Sequence, residues 1–161
     1  MLRILGFRSA RRILAFSIVC LIAPIAAHAG VTPLREGWSL QSACELQADG
    51  ATISTAAFSP QGWTTVAVPS TVLAAQVAAG EFKQPYFGMN LRRIPGATYP
   101  IGQNFSNLPM PEDSPYRCGW WYRKTFTIPA TEKGRTLWLR FGGINYRANL
   151  WVNGKQLADD K

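Results

Sequence analysis

The chain has 161 residues, of which 47% are hydrophobic, 12% aromatic and 16% charged, and its formal net charge is +8. This composition excludes an intrinsically disordered chain, which would hold fewer apolar residues and more charge. The length allows one domain, or one domain preceded by a leader.

The first 29 residues have the layout of a secretory signal peptide. Four arginines between positions 3 and 12 form a basic head, residues 13–25 form an apolar run, and Ala27-His28-Ala29 has the form of a cleavage site. The run is shorter than the roughly 20 residues that a membrane helix needs. An uncleaved anchor is the alternative, and the sequence does not decide between the general and the twin-arginine export route. We expect a periplasmic or extracellular chain, residues 30–161, without a stable membrane anchor.

The mature chain lacks the residues of several common active sites. Its only histidine, His28, lies in the leader, so neither a Ser-His or Cys-His nucleophile nor a histidine metal site can form. No G-x-G-x-x-G or P-loop pattern occurs. Cleavage would also lower the net charge to +4, and the remaining cations are too scattered to indicate a nucleic-acid surface. We therefore expect no catalytic residue, no metal, no cofactor and no nucleic-acid partner.

Two cysteines, Cys44 and Cys118, remain after the leader. An exported compartment permits a disulfide between them, and its long loop would stabilise the fold by about 4 kcal/mol in the chain-entropy picture. Two buried free thiols are the alternative, and the sequence leaves both open.

The first half of the mature chain contains three candidate strands and one helix. Residues 37–43, 51–58 and 63–69 have strand-like patterns, the last of them stopped by a proline. A helix is predicted over residues 71–79, with Ser70 or Thr71 as its cap and Gly80 as its terminator.

Residues 83–119 form a long segment without a clear period. The segment holds six of the eleven prolines and several aromatic residues. Such a length without secondary structure is typical of a functional loop, and the aromatic content favours a loop that packs on something. The neighbouring carboxylates Glu112 and Asp113 are interpreted as solvated charges, since adjacent residues of an extended segment point to opposite sides.

The final third alternates apolar and polar residues in three stretches, at 121–129, 135–144 and 148–154. Asn153-Gly154 is the preferred pair for a tight hairpin turn, so residues 155–161 should begin a return strand. Many short strands with one short helix predict an all-β, antiparallel β-sandwich of the jelly-roll type.

Three stretches in this order carry a resemblance to a known family. They read "VPSTVLAAQVAAGEFKQPYFGMN", "GWWYRKTFTIP" and "LRFGGINYRANLWVNGKQLA". Together they resemble the N-terminal sugar-binding, galactose-binding-like domain of glycoside hydrolase family 2, in its exo-β-glucosaminidase and β-mannosidase branch. The resemblance covers most of residues 36–158.

The resemblance implies a larger enzyme than this chain contains. Family members follow the jelly-roll domain with an immunoglobulin-like sandwich and a TIM barrel, and both catalytic glutamates of the retaining mechanism lie in the barrel. The domain itself usually continues past the hairpin with more strands. We therefore expect a C-terminally incomplete domain that is inactive alone and poorly soluble, because unpaired edges and an apolar face would be exposed. A complete small β domain is the alternative.

The resemblance also implies candidate substrate-binding residues in the long loop. Asn90 would reach over the barrel mouth to bond a sugar hydroxyl, and Tyr86 and Phe87 would supply an apolar wall. The alternative is a turn asparagine with aromatic residues that anchor the loop. Trp120, Trp121, Trp138 and Trp151 similarly allow a sugar-stacking platform or ordinary packing.

Two main functions follow from these features. The first is the non-catalytic N-terminal domain of an exported β-glycosidase, whose partners would be a β-linked glycan and the catalytic domains of the same enzyme. The second is a free-standing exported carbohydrate-binding module. A structural β protein without a sugar ligand is a third possibility. The sequence does not identify the sugar or the oligomeric state.

Overall fold

The computed structural model describes residues 30–100, 102–103 and 108–159, so the leader lies outside the described residues. Residues Pro33–Lys161 form one compact unit. Five strands and two α-helices follow one another in the described residues: β1 Trp38–Ser42, α1 Gly50–Ile53, β2 Thr64–Val66, α2 Val72–Ala78, β3 Trp120–Arg123, β4 Leu150–Val152 and β5 Lys155–Ala158. Short 3₁₀ helices span Ala43–Glu45, Asn90–Arg93, Pro115–Arg117 and Ala130–Glu132. No helix in the described part of the chain is long and apolar enough to cross a membrane.

The strands form two antiparallel sheets. The first has the order β2-β1-β3, with Leu40 opposite Thr64 on one side and opposite Tyr122 on the other. The second is the hairpin β4-β5. Since every pairing is antiparallel and the helices are short, the predicted all-β class is confirmed.

The core lies where the central strand meets α2. Leu40 of β1 is 1% exposed and clusters with Val66 of β2 and Ala75 of α2. Trp120 and Tyr122 of β3 cover this cluster from the next strand. Burial of such side chains stabilises a fold by about 1.5–3 kcal/mol each, so this cluster fixes the sheet against the helix.

Helix α2 confirms the prediction for residues 71–79 to within one residue at each end. The Thr71 hydroxyl accepts a hydrogen bond from the Ala74 amide at 3.2 Å, which satisfies one of the free donors of the first turn. Gly80 follows the helix with a positive φ of 82°, a conformation that glycine adopts without steric cost. The Tyr122 hydroxyl also donates to the Ser70 carbonyl at 3.1 Å and ties the helix start to β3.

Residues 51–58 were predicted to form a strand, and this prediction is wrong. The segment instead begins with the short helix α1, capped by Asp49, whose carboxylate accepts from the Thr52 amide at 2.8 Å. That hydrogen bond holds the pKa of Asp49 below its ordinary value. Local capping at Asp49 outweighs the weak strand preference of a stretch that is rich in alanine and serine.

Arg123 at the end of β3 holds the turn after α1 in place. Its Nε donates to the Ile53 carbonyl at 2.9 Å, and its Nη2 donates to the carbonyls of Thr55 and Phe58 at 2.9 and 3.0 Å. Its guanidinium also lies 5.7 Å from the centre of the Phe58 ring. The planar fork of arginine thus replaces the ladder hydrogen bonds that a strand would have given these carbonyls.

The hairpin β4-β5 forms at the predicted turn and docks on α1. Asn153 and Gly154 have φ values of 49° and 84°, as the tight hairpin turn requires. The Gly154 amide donates to the Ser54 hydroxyl at 2.9 Å. A Cβ atom added to Gly50 of α1 would lie within 3.0 Å of the Trp151 indole, so β4 packs directly on this helix.

The stretch 121–129 is a strand only at its start, and the stretch 135–144 is not a strand. β3 ends at Arg123, although the alternating pattern continues to Ile128, and no strand covers residues 135–144. Phe126 and Ile128 are 44% and 43% exposed. The alternating pattern is a strand signal, but a strand forms only where another strand can pair with it.

Replacement of Arg123 by lysine should lower the free energy of unfolding by about 2 kcal/mol, because one ammonium cannot reach three carbonyls at once. Urea denaturation would measure the change. Arg135→Lys is the matched control, since Arg135 is exposed and bonds only Glu132. An equal effect of both substitutions would contradict the role of Arg123.

Gly50→Ala should destabilise the chain by about 2 kcal/mol, because the new methyl group would overlap the Trp151 indole. Gly142→Ala is the control, since a Cβ at that position meets nothing within 4 Å. Thermal unfolding monitored by tryptophan fluorescence would compare the two variants. If Gly50→Ala were as stable as Gly142→Ala, the docking of the hairpin on α1 would be incorrect.

Candidate functional site

The tip of the long loop exposes its aromatic residues. Tyr86 is 96% exposed and Phe87 77% exposed, and Met89 nearby is 58% exposed. The tip contains Gly88, whose φ of 57° lets the chain reverse there. Neither Tyr86 nor Phe87 therefore anchors the loop, and both present apolar surface outward.

Asn90 lies at the base of this tip and makes hydrogen bonds to earlier residues of the same loop. Its Nδ2 donates to the Gln84 carbonyl at 3.0 Å, and its backbone amide donates to the Phe87 carbonyl at 3.2 Å. The amide side chain is half-buried, and its Oδ1 makes no hydrogen bond that the structure records. The geometry gives Asn90 the turn role, while the carbonyl oxygen of the side chain remains an acceptor that a hydroxyl can approach.

The segment after Asn90 is held by stacking of a cation on an aromatic ring. The Arg92 guanidinium lies 5.2 Å from the centre of the Tyr99 ring and also donates to the Tyr99 carbonyl. Ile94 is 3% exposed and anchors this part of the loop. A Cβ atom added to Gly96 would overlap the Ser114 side chain, so the first and second halves of the loop are in contact at this point. These contacts hold the described parts of the proline-rich segment in place without strands.

A polar network fixes the far end of the loop to α2. The Tyr116 hydroxyl donates to Gln76 Oε1 at 3.0 Å, and Gln76 Nε2 donates to Glu81 Oε2 at 3.0 Å. The other oxygen of Glu81 accepts from the Thr64 hydroxyl of β2 at 2.6 Å. Burial raises the pKa of Tyr116, and the charge of Glu81 adds to the rise. This network was not predicted from the sequence, in which a glutamine within the apolar helix α2 is its one local signal.

The four tryptophans do not form a common platform. Trp120 is half-buried and stacks on Tyr116 with ring centres 6.3 Å apart, and Trp121 and Trp151 are half-buried as well. Trp138 is 88% exposed. Packing therefore accounts for three of the four side chains, and Trp138 is the one that offers an open face.

The structure joins Cys44 and Cys118 by a disulfide, with their Cα atoms 5.9 Å apart. The bond lies beside the last rung of the β1–β3 ladder, where the Ala43 amide donates to the Gly119 carbonyl at 2.8 Å. It connects the end of the long loop to the 3₁₀ helix Ala43–Glu45 that follows β1, so both the bridge and Tyr116 hold the loop at this end.

Groups for chemistry are sparse in the described residues. The charged side chains there include no cluster of three or more histidine, cysteine, aspartate or glutamate residues that could hold a metal. Glu112 and Asp113 are exposed loop residues. A shallow depression of about 320 Å³ lies between β2 and α2, lined by small side chains and Glu36. It lacks the several converging polar groups that a sugar site requires.

Comparison with known proteins identifies the relationship. Residues 112–161 match the family model described as glycosyl hydrolase 2 galactose-binding domain-like. Over these residues the chain is similar to the galactose-binding-like domain of glycoside hydrolase family 2. The family is the one that the sequence motifs resemble, so that prediction is confirmed.

The relatives in this family are exo-β-D-glucosaminidases. The enzyme of Streptomyces avermitilis is 31% identical over 134 residues, and that of Amycolatopsis orientalis is 29% identical over 133 residues. Each match covers 83% of this chain but only 13% and 11% of the relatives. The crystal structure of the Amycolatopsis orientalis exo-chitosanase CsxA superposes with a TM-score of 0.60 and 26% identity, over 80% of this chain and 13% of that one. The chain thus spans about an eighth of the length of these glycoside hydrolase family 2 enzymes.

The disulfide predicts a specific labelling result. In chain isolated without reductant and then denatured, Cys44 and Cys118 should resist alkylation, and proteolysis should give one cross-linked pair of peptides. Reduction should release both thiols. In a variant with both cysteines changed to serine, the free energy of unfolding should fall by about 4 kcal/mol. Full alkylation of both residues before reduction would show two free thiols instead.

Proposed function

We propose that this chain is a non-catalytic domain of an exported β-glycosidase that acts on glucosamine-containing glycans. The observation that carries the proposal is the similarity to exo-β-D-glucosaminidases over 83% of the chain. The leader-like pattern of residues 1–29 supports export. The domain would pack against the catalytic body and shape the entrance to its substrate site.

The described surface supports a role in packing against another body. Apolar side chains are exposed both at the loop tip, by Tyr86 and Phe87, and in the final third, by Phe141 and Ile144. Exposed apolar patches on a soluble domain commonly mark surfaces that another protein surface covers. We assign the chemistry to the partner body, because the family that the motifs resemble carries both catalytic glutamates in its barrel.

A fragment-complementation assay tests the proposal. The Amycolatopsis orientalis exo-β-D-glucosaminidase, deleted for the segment similar to this chain, would be mixed with this chain and with p-nitrophenyl β-D-glucosaminide. We expect the chain alone to be inactive and the mixture to exceed the deleted enzyme by about tenfold or more, because the domain restores the substrate entrance.

The matched control is Ile53→Asp, which places a carboxylate at a position that is 1% exposed and should unfold the domain. Turnover that is the same with the wild-type chain, with the control variant and with neither would refute the proposal. Export is tested separately by sequencing the N-terminus of secreted protein, where Gly30 is the expected first residue.

Asn90→Ala in the same assay tests the loop as part of the substrate entrance. If the free Oδ1 of Asn90 accepts from a sugar hydroxyl, turnover should fall by about tenfold, since one lost hydrogen bond is worth about 1.4 kcal/mol. Asn90→Asp keeps an acceptor and should retain more activity than the alanine variant. Turnover equal to wild type in both variants would leave Asn90 with its turn role alone.

A free-standing carbohydrate-binding module is the second candidate, and the exposed indole of Trp138 favours it. Aromatic faces stack on the apolar faces of sugar rings. Isothermal titration of the isolated chain with glucosamine oligosaccharides, with Trp138→Ala as the comparison, would detect this activity. Heat released by the wild-type chain and absent in the variant would support the module.

A further inference from the structure

The turn of the β4-β5 hairpin holds the one Asn-Gly pair of the chain, Asn153-Gly154. The five other asparagines precede leucine, phenylalanine or tyrosine. The backbone nitrogen of the next residue can attack an asparagine side chain, and a glycine in that place leaves the approach open because it carries no side chain. By sequence, Asn153 is therefore the asparagine of this chain that is most susceptible to such an attack.

The side chain of Asn153 is open to solvent. The residue is exposed, and its amide group makes no hydrogen bond to any residue that the structure describes. Its φ of 49° lies in the left-handed region, which asparagine tolerates in turns. Water and base can thus reach this side chain while the hairpin stays in place.

The backbone nitrogen of Gly154, in contrast, is held against α1 and the turn that follows it. It donates to the Ser54 hydroxyl at 2.9 Å and has no backbone acceptor among the described residues. Gly154 is half-buried, and a Cβ atom added to it would lie 3.4 Å from the Ala51 carbonyl oxygen and 3.6 Å from Cγ2 of Thr55. The hairpin turn therefore contacts α1 through Gly154, while Asn153 faces solvent.

The proton that Gly154 donates to Ser54 is the one that must leave before Gly154 can react. Ring closure needs a deprotonated Gly154 nitrogen, whose electron pair attacks Cγ of Asn153. A neutral hydroxyl accepts the hydrogen bond but is too weak a base to remove the proton. The Ser54 oxygen also occupies the place from which a stronger base would approach. Release of the turn from Ser54 therefore precedes the reaction.

We propose that Asn153 is a deamidation site whose rate is set by release of the hairpin turn from Ser54. A bond forms between the Gly154 nitrogen and Cγ of Asn153, the bond from Cγ to Nδ2 breaks, and ammonia leaves with the proton taken from Gly154. Water then opens the cyclic imide at either of its carbonyls, which gives aspartate or isoaspartate. The reaction consumes only water and needs neither a catalytic body nor a sugar, so it is independent of the proposed function.

Both products alter the hairpin. Aspartate places a negative charge in the turn, and isoaspartate also lengthens the backbone, because the main chain then runs through the side-chain methylene. The tight turn sets the pairing of Val152 with Lys155, so an extra backbone atom disturbs the register of β4 and β5. The modification thus marks those chains in which the hairpin has left α1.

Incubation of the full chain in mildly alkaline buffer tests the site. Peptide mass spectrometry would follow the conversion of Asn153 with time, and an isoaspartate-specific methyltransferase would detect the isoaspartate product. We expect conversion in the folded chain to be slower than in guanidinium chloride by about tenfold or more, because the docked turn must open first.

Ser54→Ala separates the hydrogen bond from the fold. Loss of the acceptor should speed conversion of Asn153 in native buffer by about fivefold, the factor that one neutral hydrogen bond contributes, and should leave the rate in denaturant unchanged. Ser59→Ala is the matched control, since Ser59 is exposed and its hydroxyl accepts from Gln61, outside the hairpin contact. The unfolding temperature of each variant shows whether its fold is retained.

The proposal would be overturned by equal conversion of Asn153 in native buffer and in denaturant, or by faster conversion of another asparagine in the denatured chain. It would also be overturned if folded Ser54→Ala reacted no faster than Ser59→Ala. The comparison of folded and denatured wild-type chain decides the matter even if Ser54→Ala does not fold. Because the assay contains neither the deleted enzyme nor its substrate, its result is distinguishable from that of complementation.

Discussion

The hydrogen bonds from Arg123 to the turn after α1 are the interaction on which the rest of the structure depends. The residue belongs to β3, yet it bonds carbonyls of Ile53, Thr55 and Phe58, about 70 positions earlier. The strand that carries it pairs with β1, so one side chain joins the sheet to the segment that contacts the β4-β5 hairpin through Gly50 and Ser54. A buried or half-buried carbonyl without a donor is costly, and Arg123 supplies donors that no neighbouring strand provides.

The arrangement divides the molecule into a fixed part and an open part. Strand β1, with a neighbour on each side, and helix α2 enclose the core around Leu40. The long loop is fastened to this core at one end by Tyr116 and by the bond between Cys44 and Cys118. The loop tip and residues 136–149 instead project apolar side chains outward. The described part of the chain therefore combines a closed core with two places where apolar side chains face outward.

The sequence predicted those elements whose signals are local. The cap at Thr71 defined α2, and Asn153-Gly154 defined the hairpin, because each motif acts within a few residues. Residues 51–58 were misread since their outcome depends on Arg123, far along the chain, and on the cap at Asp49. The stretch 135–144 has a strong strand pattern, but its conformation is decided by whether a partner strand is present, which periodicity does not record.

The long-range bonds of the hairpin and of Arg123 bear on the order in which the chain can fold. The contact between Gly154 and Ser54 spans 100 positions, and that between Arg123 and Ile53 spans 70. On the ribosome, helix α1 therefore emerges long before the residues that hold it, and it must remain only locally capped until most of the chain has been synthesised. Folds dominated by such distant contacts assemble slowly, which places the exposed strand sequences of this domain among those that benefit from chaperones while the chain folds.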